Sequence, residues 1–190
     1  MKKRDSKLFE QIPALKTKKE RQHKMRYIIT NKPAMRLIGT NIKTTVENGA
    51  FRDDISNFVE TLRSSGKIVE MAMKINQKPF GLVSASWIIN TSGDGSFDFF
   101  IGASSDQQAP QAMRVLRIPE SRWAVFSVEG PVPESLIEMG DRLMSKWLPK
   151  GEYILNENVP LLNVYLTPDL RSPNCRSEIW IAILGKREES

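Results

Sequence analysis

The sequence predicts an α+β fold made of two βαββ units, with an antiparallel sheet, two main helices on one side and a central groove. Two observations carry this. Segments with strand alternation and segments with helical spacing follow each other in the order strand, helix, strand, strand, twice over. The second pass also restarts about 86 residues after the first: Pro33-Ala34-Met35-Arg36-Leu37-Ile38 falls on Pro119-Glu120-Ser121-Arg122-Trp123-Ala124 with Pro and Arg in register.

In the first unit, 26–44 is rich in β-branched residues and reads as one strand bent near Pro33 or as two short ones. Asp53 or Asp54 caps a helix carrying Ile55, Phe58, Val59 and Leu62 at helical spacing, and Ser64-Ser65-Gly66 ends it. Residues 68–73 extend that helix or form a short separate piece. Strands follow over 80–89 and 97–103, joined by a turn with Gly93 and Gly95. A polar connector, 104–115, leads to the second unit. There 122–128 is a strand, and Pro131 and Pro133 mark a helix entry. Leu136, Met139, Leu143, Met144 and Trp147 form the buried face of that helix, which Pro149 and Gly151 stop. Strands over 161–166 and 178–184 close the unit.

The chain has 190 residues and a formal net charge of +6, and the charge is unevenly placed. Residues 1–26 hold ten Lys or Arg and three acids, whereas the remainder holds 18 bases and 19 acids. The folded part is therefore close to neutral. Residues 1–24 read as a basic, flexible or loosely docked arm, 25–185 as the folded domain and 186–190 as a polar tail. The arm is too short and too polar for a helix-turn-helix, so direct sequence-specific DNA binding by this chain alone is not expected. A single histidine, His23, and a single cysteine, Cys175, leave no metal site, no internal disulfide and no cofactor signature. Cys175 reads as an incidental thiol. No apolar run reaches the roughly 20 residues that a membrane span needs, and Lys2-Lys3-Arg4 is followed by no apolar core of a secretory signal, so a soluble cytoplasmic chain is expected.

The region from Trp123 to Ile183 contains no nucleophile–base pair, and its chemistry is that of a surface that binds. Alternation sorts the candidates. On 161–166 the aliphatic Leu162, Val164 and Leu166 should meet the helices, which leaves Asn163 and Tyr165 for the groove on the other side. On 178–184, Ile179, Ile181 and Ile183 are the core set, and Glu178 and Trp180 face the groove. Apolar walls interrupted by a few polar groups suit a small-molecule pocket. Phe99, Trp87 and Trp123 complete the candidate ligand-binding set, and Trp147 reads as core.

These residues make the chain resemble the GyrI-like small-molecule-binding domains, the effector-binding modules of many bacterial regulators of the AraC and MerR types, related to the DNA gyrase inhibitor proteins. The resemblance covers about 25–184. It rests on Pro33 to Gly39, Phe99-Phe100-Ile101-Gly102, Ile118-Pro119, Trp123 to Phe126, Gly130, Trp147-Leu148-Pro149, Pro160 to Tyr165 and Glu178-Ile179-Trp180-Ile181. It implies a duplicated βαββ fold with a central pocket for amphipathic, often cationic, aromatic compounds. Some relatives are hydrolases. The family's pocket glutamate lies two residues before the tyrosine of the penultimate strand. Here that position is Asn163, while Tyr165 matches. The loss of the acid weakens both cation binding and acid–base chemistry. Three readings stand: a binding module for an aromatic or amphipathic ligand in regulation or sequestration, a hydrolase of the same fold, and a module with a protein partner.

Overall fold

The computed structural model describes residues 25–87 and 93–186. The basic arm, His23, the middle of the turn after Trp87 and the end of the polar tail lie outside the described residues. Strands β1 (Tyr27–Lys32) and β2 (Met35–Thr45) lead to helices α1 (Phe51–Ser64) and α2 (Lys67–Ala72), then to β3 (Leu82–Ser86) and β4 (Ser96–Ser104). The second pass is β5 (Arg114–Ile118), β6 (Ser121–Glu129), α3 (Glu134–Arg142), β7 (Tyr153–Leu155), β8 (Leu161–Tyr165) and β9 (Arg176–Lys186). All pairings are antiparallel, in the order β1-β6-β9-β8-β3-β4-β2-β5, with β7 added to β9.

That order makes the duplication visible. Exchanging β1 with β5, β2 with β6, β3 with β8 and β4 with β9 turns it into its own reverse. A pseudo-two-fold axis therefore passes between β3 and β8, the central pair. Met35 and Ser121, which open β2 and β6, are 86 residues apart, as the repeat predicts.

The connections roll the sheet. Only residues 33–34 join β1, at one end of the order, to β2 near the other; residues 119–120 join β5 to β6 in the same way. One face is thus turned inward and filled by Leu37, Val83, Phe100, Trp123, Leu162 and Trp180 with their neighbours. Tight curling needs close strand approach, and Gly39 opposite Gly102 provides it. A Cβ on Gly102 would lie 2.3 Å from the Ile38 carbonyl oxygen and 2.8 Å from the Phe100 ring. On the side away from the helices, where the groove was expected, the described side chains of the rolled sheet form a packed cluster.

Both helical layers lie on the outer face. Ile55, Phe58, Val59 and Leu62 of α1 and Met71 of α2 pack over Phe97, Phe99 and Ile101 of β4. Leu136, Met139, Leu143 and Trp147 of the α3 segment pack over Phe126, Ile179 and Ile181. Gly66, in the left-handed region at φ 73°, breaks α1 from α2, so 67–72 is a separate helix.

Several elements differ from expectation for identifiable reasons. Helix α1 starts at Phe51, which puts Asp53 and Asp54 in its first turn, where Asp54 accepts from Thr44 Oγ1 of β2. Strand β5 starts within the stretch read as polar connector and runs past its end, and its Arg114 and Arg117 hide the alternating Leu116 and Ile118. Met144 is 45% exposed: after α3 the chain passes into a wider π turn over Leu143–Trp147, which buries both ends of that turn and rotates Met144 outward.

Candidate functional site

In an antiparallel pair, residues directly opposite each other share a face. On β3 and β8 the pairs are Leu82 with Tyr165, Ser84 with Asn163 and Ser86 with Leu161. Ser84 also pairs with Ile101 of β4, and Asn163 with Ile179 of β9. Ile101 and Ile179 belong to the two helix-covered clusters. Asn163, Tyr165 and Ser84 therefore lie on the helix-bearing face, on the central strands, with the α1–α2 layer on one side and the α3 layer on the other.

There they form a hydrogen-bonded cluster. Asn163 Nδ2 donates to Ser84 Oγ at 3.2 Å, and Ser84 Oγ and Tyr165 Oη share a bond of 3.1 Å. Ser84 is buried, and Asn163 and Tyr165 are half-buried. Burial pushes the Tyr165 phenol above its ordinary range, and its bond to Ser84 opposes this only in part, so the ring carries a neutral hydroxyl. Ser177 stands opposite Tyr165 on β9, and its buried hydroxyl has no hydrogen-bond partner among the described residues. The remaining side chains that β3, β4, β8 and β9 turn to this face are Leu82, Ser86, Phe97, Phe99, Ile101, Ala103, Leu161, Ile179, Ile181 and Ile183. None of the whole set is charged.

The candidate residues thus divide between two faces. Phe99 stays on the helix-bearing face, where it meets Phe58 edge-on with ring centroids 6.5 Å apart. Glu178 and Trp180 do not join Asn163 and Tyr165. They pair with Val164 and Leu162 and point into the rolled interior. Trp180 is buried and T-shaped against Trp123 at 5.7 Å, its indole N–H donates to Glu178 Oε2 at 2.7 Å, and Lys32 Nζ lies 4.1 Å from the ring centroid. Trp123 is fully buried, and its indole nitrogen has no partner among the described residues. Trp87 is half-buried just past the end of β3. Alternation groups residues correctly within each strand, but the phase between strands depends on register, which the sequence does not display.

Ser84 is the member that sequence reasoning missed. The signal was the repeat itself. Strands β3 and β8 begin 79 residues apart, at Leu82 and Leu161. The same offset carries Ser84 onto Asn163 and Ser86 onto Tyr165. Because Ser84 and Asn163 also pair with each other, they sit on the pseudo-two-fold axis.

A palindromic antiparallel sheet with helices on one face is the fold that the resemblance to GyrI-like domains implies. The chain belongs to the family of integron-associated effector-binding proteins, Cass2, whose model matches residues 28–183. No curated protein sequence matches the chain. Among solved structures it is similar to SAV2435 bound to tetraphenylphosphonium, at TM-score 0.75 and 19% identity over 85% of this chain and 95% of that one. It is similar to the integron cassette protein VCH_CASS2 from the mobile metagenome of Vibrio cholerae, at TM-score 0.58 and 20% identity over 83% and 95%. It is also similar to the EcmrR C-terminal domain, at TM-score 0.54 and 13% identity over 85% and 98%. The fold is thus one shared with the C-terminal domain of EcmrR, a protein also seen in complex with DNA, and with a protein seen with a small molecule bound. Among the described residues, no helix is long and apolar enough to cross a membrane.

Proposed function

We propose that the chain is a non-catalytic, cytoplasmic small-molecule-binding module, used in bacterial transcription regulation or ligand sequestration. Its ligand is aromatic or amphipathic and lies on the helix-bearing face, over β3 and β8. The observation that carries this reading is the Ser84–Asn163–Tyr165 cluster. It is a half-buried polar group at the centre of an otherwise largely apolar face, flanked by two helical layers. The tetraphenylphosphonium bound to SAV2435 supports the idea that this fold accepts bulky aromatic compounds. The chemistry argues against turnover. Ser84 is bonded to an amide and to a neutral phenol, and neither takes a proton from a serine hydroxyl near neutral pH.

A thermal-shift and calorimetric screen of cationic, neutral and anionic aromatics tests the reading. Binding to the wild type that drops about tenfold or more in Tyr165→Ala, a loss of the size expected for an aromatic contact, supports it. Ligands whose affinity ignores Tyr165 and Asn163 would place the site elsewhere.

A further inference from the structure

We infer that the site selects an uncharged aromatic ligand carrying an N–H donor beside a carbonyl acceptor, the chemical class of aryl lactams and secondary amides, and that Ser84 sets this preference. The inference rests on the binding reading just given and specifies its ligand.

Charge favours a neutral ligand. The four central strands turn no charged side chain toward the helix-bearing face. The acids of α1, α2 and α3 (Asp53, Asp54, Glu60, Glu70, Glu134, Glu138 and Asp141) are exposed, with Asp54 bonded to Thr44 and Glu60 to Arg63. A permanent cation entering this strip sheds water and meets, from these four strands, only dipoles and ring faces. A neutral ligand loses much less on the same path.

Hydrogen-bond capacity favours a donor and an acceptor side by side. A serine hydroxyl has one hydrogen and two lone pairs, and an amide has an acceptor oxygen beside its N–H groups. Asn163 commits an N–H to Ser84 Oγ. That bond fixes the plane of the amide and leaves Asn163 Oδ1 with no partner among the described residues. Between Ser84 and Tyr165 either oxygen can donate. With Ser84 donating, the hydroxyl hydrogen of the half-buried Tyr165 stays uncommitted. The cluster then offers one acceptor and one donor together. A ligand edge with N–H beside C=O satisfies both, and the neighbouring Ser177 hydroxyl is a further unpartnered polar group on the same face. Ser84 acts as a positioning residue, because it orients the amide that reads the ligand.

Three probes on one ring system test this by isothermal titration calorimetry of the full chain: 2-quinolone, N-methyl-2-quinolone and N-methylquinolinium. The wild type should bind 2-quinolone about tenfold more tightly than either other compound, the cost of leaving polar groups unpaired. In Ser84→Ala the advantage of 2-quinolone over its N-methyl form should fall below about threefold, while circular dichroism stays unchanged. N-methylquinolinium binding as tightly as 2-quinolone, or an N-methyl form as good as the parent lactam, would overturn the inference and leave the site standing. Failure of all three to bind at millimolar concentration would overturn both the inference and the site. The comparison on the wild type needs no variant to fold.

Discussion

Asn163 and Ser84 are equivalents in the two halves of the chain, and they hydrogen-bond to each other at 3.2 Å across the central strand pair. The axis of the duplication thus runs through the floor of the candidate site. A duplicated fold brings its repeated strands into contact there, so each position next to the axis is occupied twice, once from each half. In this chain the two copies have diverged to an amide and a hydroxyl. Tyr165 and its equivalent Ser86 have diverged further, to a ring on one side and a small buried group on the other. The result is an asymmetric surface on a symmetric frame, with the aromatic ring on the β8 side.

The two faces of the sheet should respond separately to mutation. Trp180→Leu removes a ring packed against Trp123 and leaves the Glu178 carboxylate without its indole donor. A loss of about 3 kcal/mol is expected from the cavity and the broken bond, seen as a lower urea midpoint. Ligand affinity, corrected for the folded fraction, should stay within about twofold, a change below 0.5 kcal/mol. Selective loss of affinity at unchanged stability would return Trp180 to the binding site.

Much of the fold was legible because its signals are local. The β-branched runs of β2, β6 and β9, the helix face Ile55, Phe58, Val59 and Leu62, and the Gly66 and Gly151 stops all appear where the sequence pattern places them. The site was legible only in part. Asn163 and Tyr165 were separable from Leu162 and Val164 by alternation. Their relation to Glu178 and Trp180 was not, because it depends on Asn163 pairing with Ile179 and not with a residue one step away. The aliphatic residues also misled. Leu162 and Val164 do lie in a core, but that core is the rolled interior, which exists only because β1–β2 and β5–β6 span the width of the sheet.

Gly102→Ala tests the curl. The added methyl meets the Ile38 carbonyl at 2.3 Å, and that oxygen is held in the β2–β4 ladder and cannot rotate away. Overpacking against backbone should cost about 3 kcal/mol or more, a fall of roughly 6–12 °C in Tm for a chain of this size. A variant as stable as the wild type would mean that β2 and β4 separate freely, and that the rolled interior is not rigid.

Tyr165 predicts the alkaline behaviour. Its phenol is raised in the folded state by burial, against an unfolded value of about 10. The folded form therefore holds its proton longer. The stabilisation is complete below about pH 10 and is lost as pH climbs through the folded pKa. Between pH 6 and 9 neither stability nor binding should vary through this group. In urea titrations from pH 8 to 11, Tyr165→Phe should show a shallower alkaline decline than the wild type. Equal slopes would show that the phenol titrates alike in both states.

The duplication makes its most specific prediction at the axis. Asn163→Glu places a carboxylate in the half-buried cluster, where a full charge offsets the desolvation of a cation that an amide dipole cannot. Aromatic faces alone return only about 0.5 to 2 kcal/mol per contact. With N-methylquinolinium and N-methyl-2-quinolone as matched ligands, the variant should shift the ratio of affinities toward the cation by about tenfold or more, equivalent to roughly 1.4 kcal/mol. Ser84 is the equivalent position, so Ser84→Glu delivers the same charge from the opposite strand and should shift the ratio in the same direction. Its shift should be smaller, because Ser84 is buried and its longer replacement also breaks the bonds to Asn163 and Tyr165. Urea unfolding separates the two effects: Ser84→Glu should lose stability where Asn163→Glu loses little. Equal changes for both ligands in Asn163→Glu would put that residue outside the site. A cation gain in Asn163→Glu with none in a folded Ser84→Glu would show that the ligand lies wholly on the β8 side of the axis.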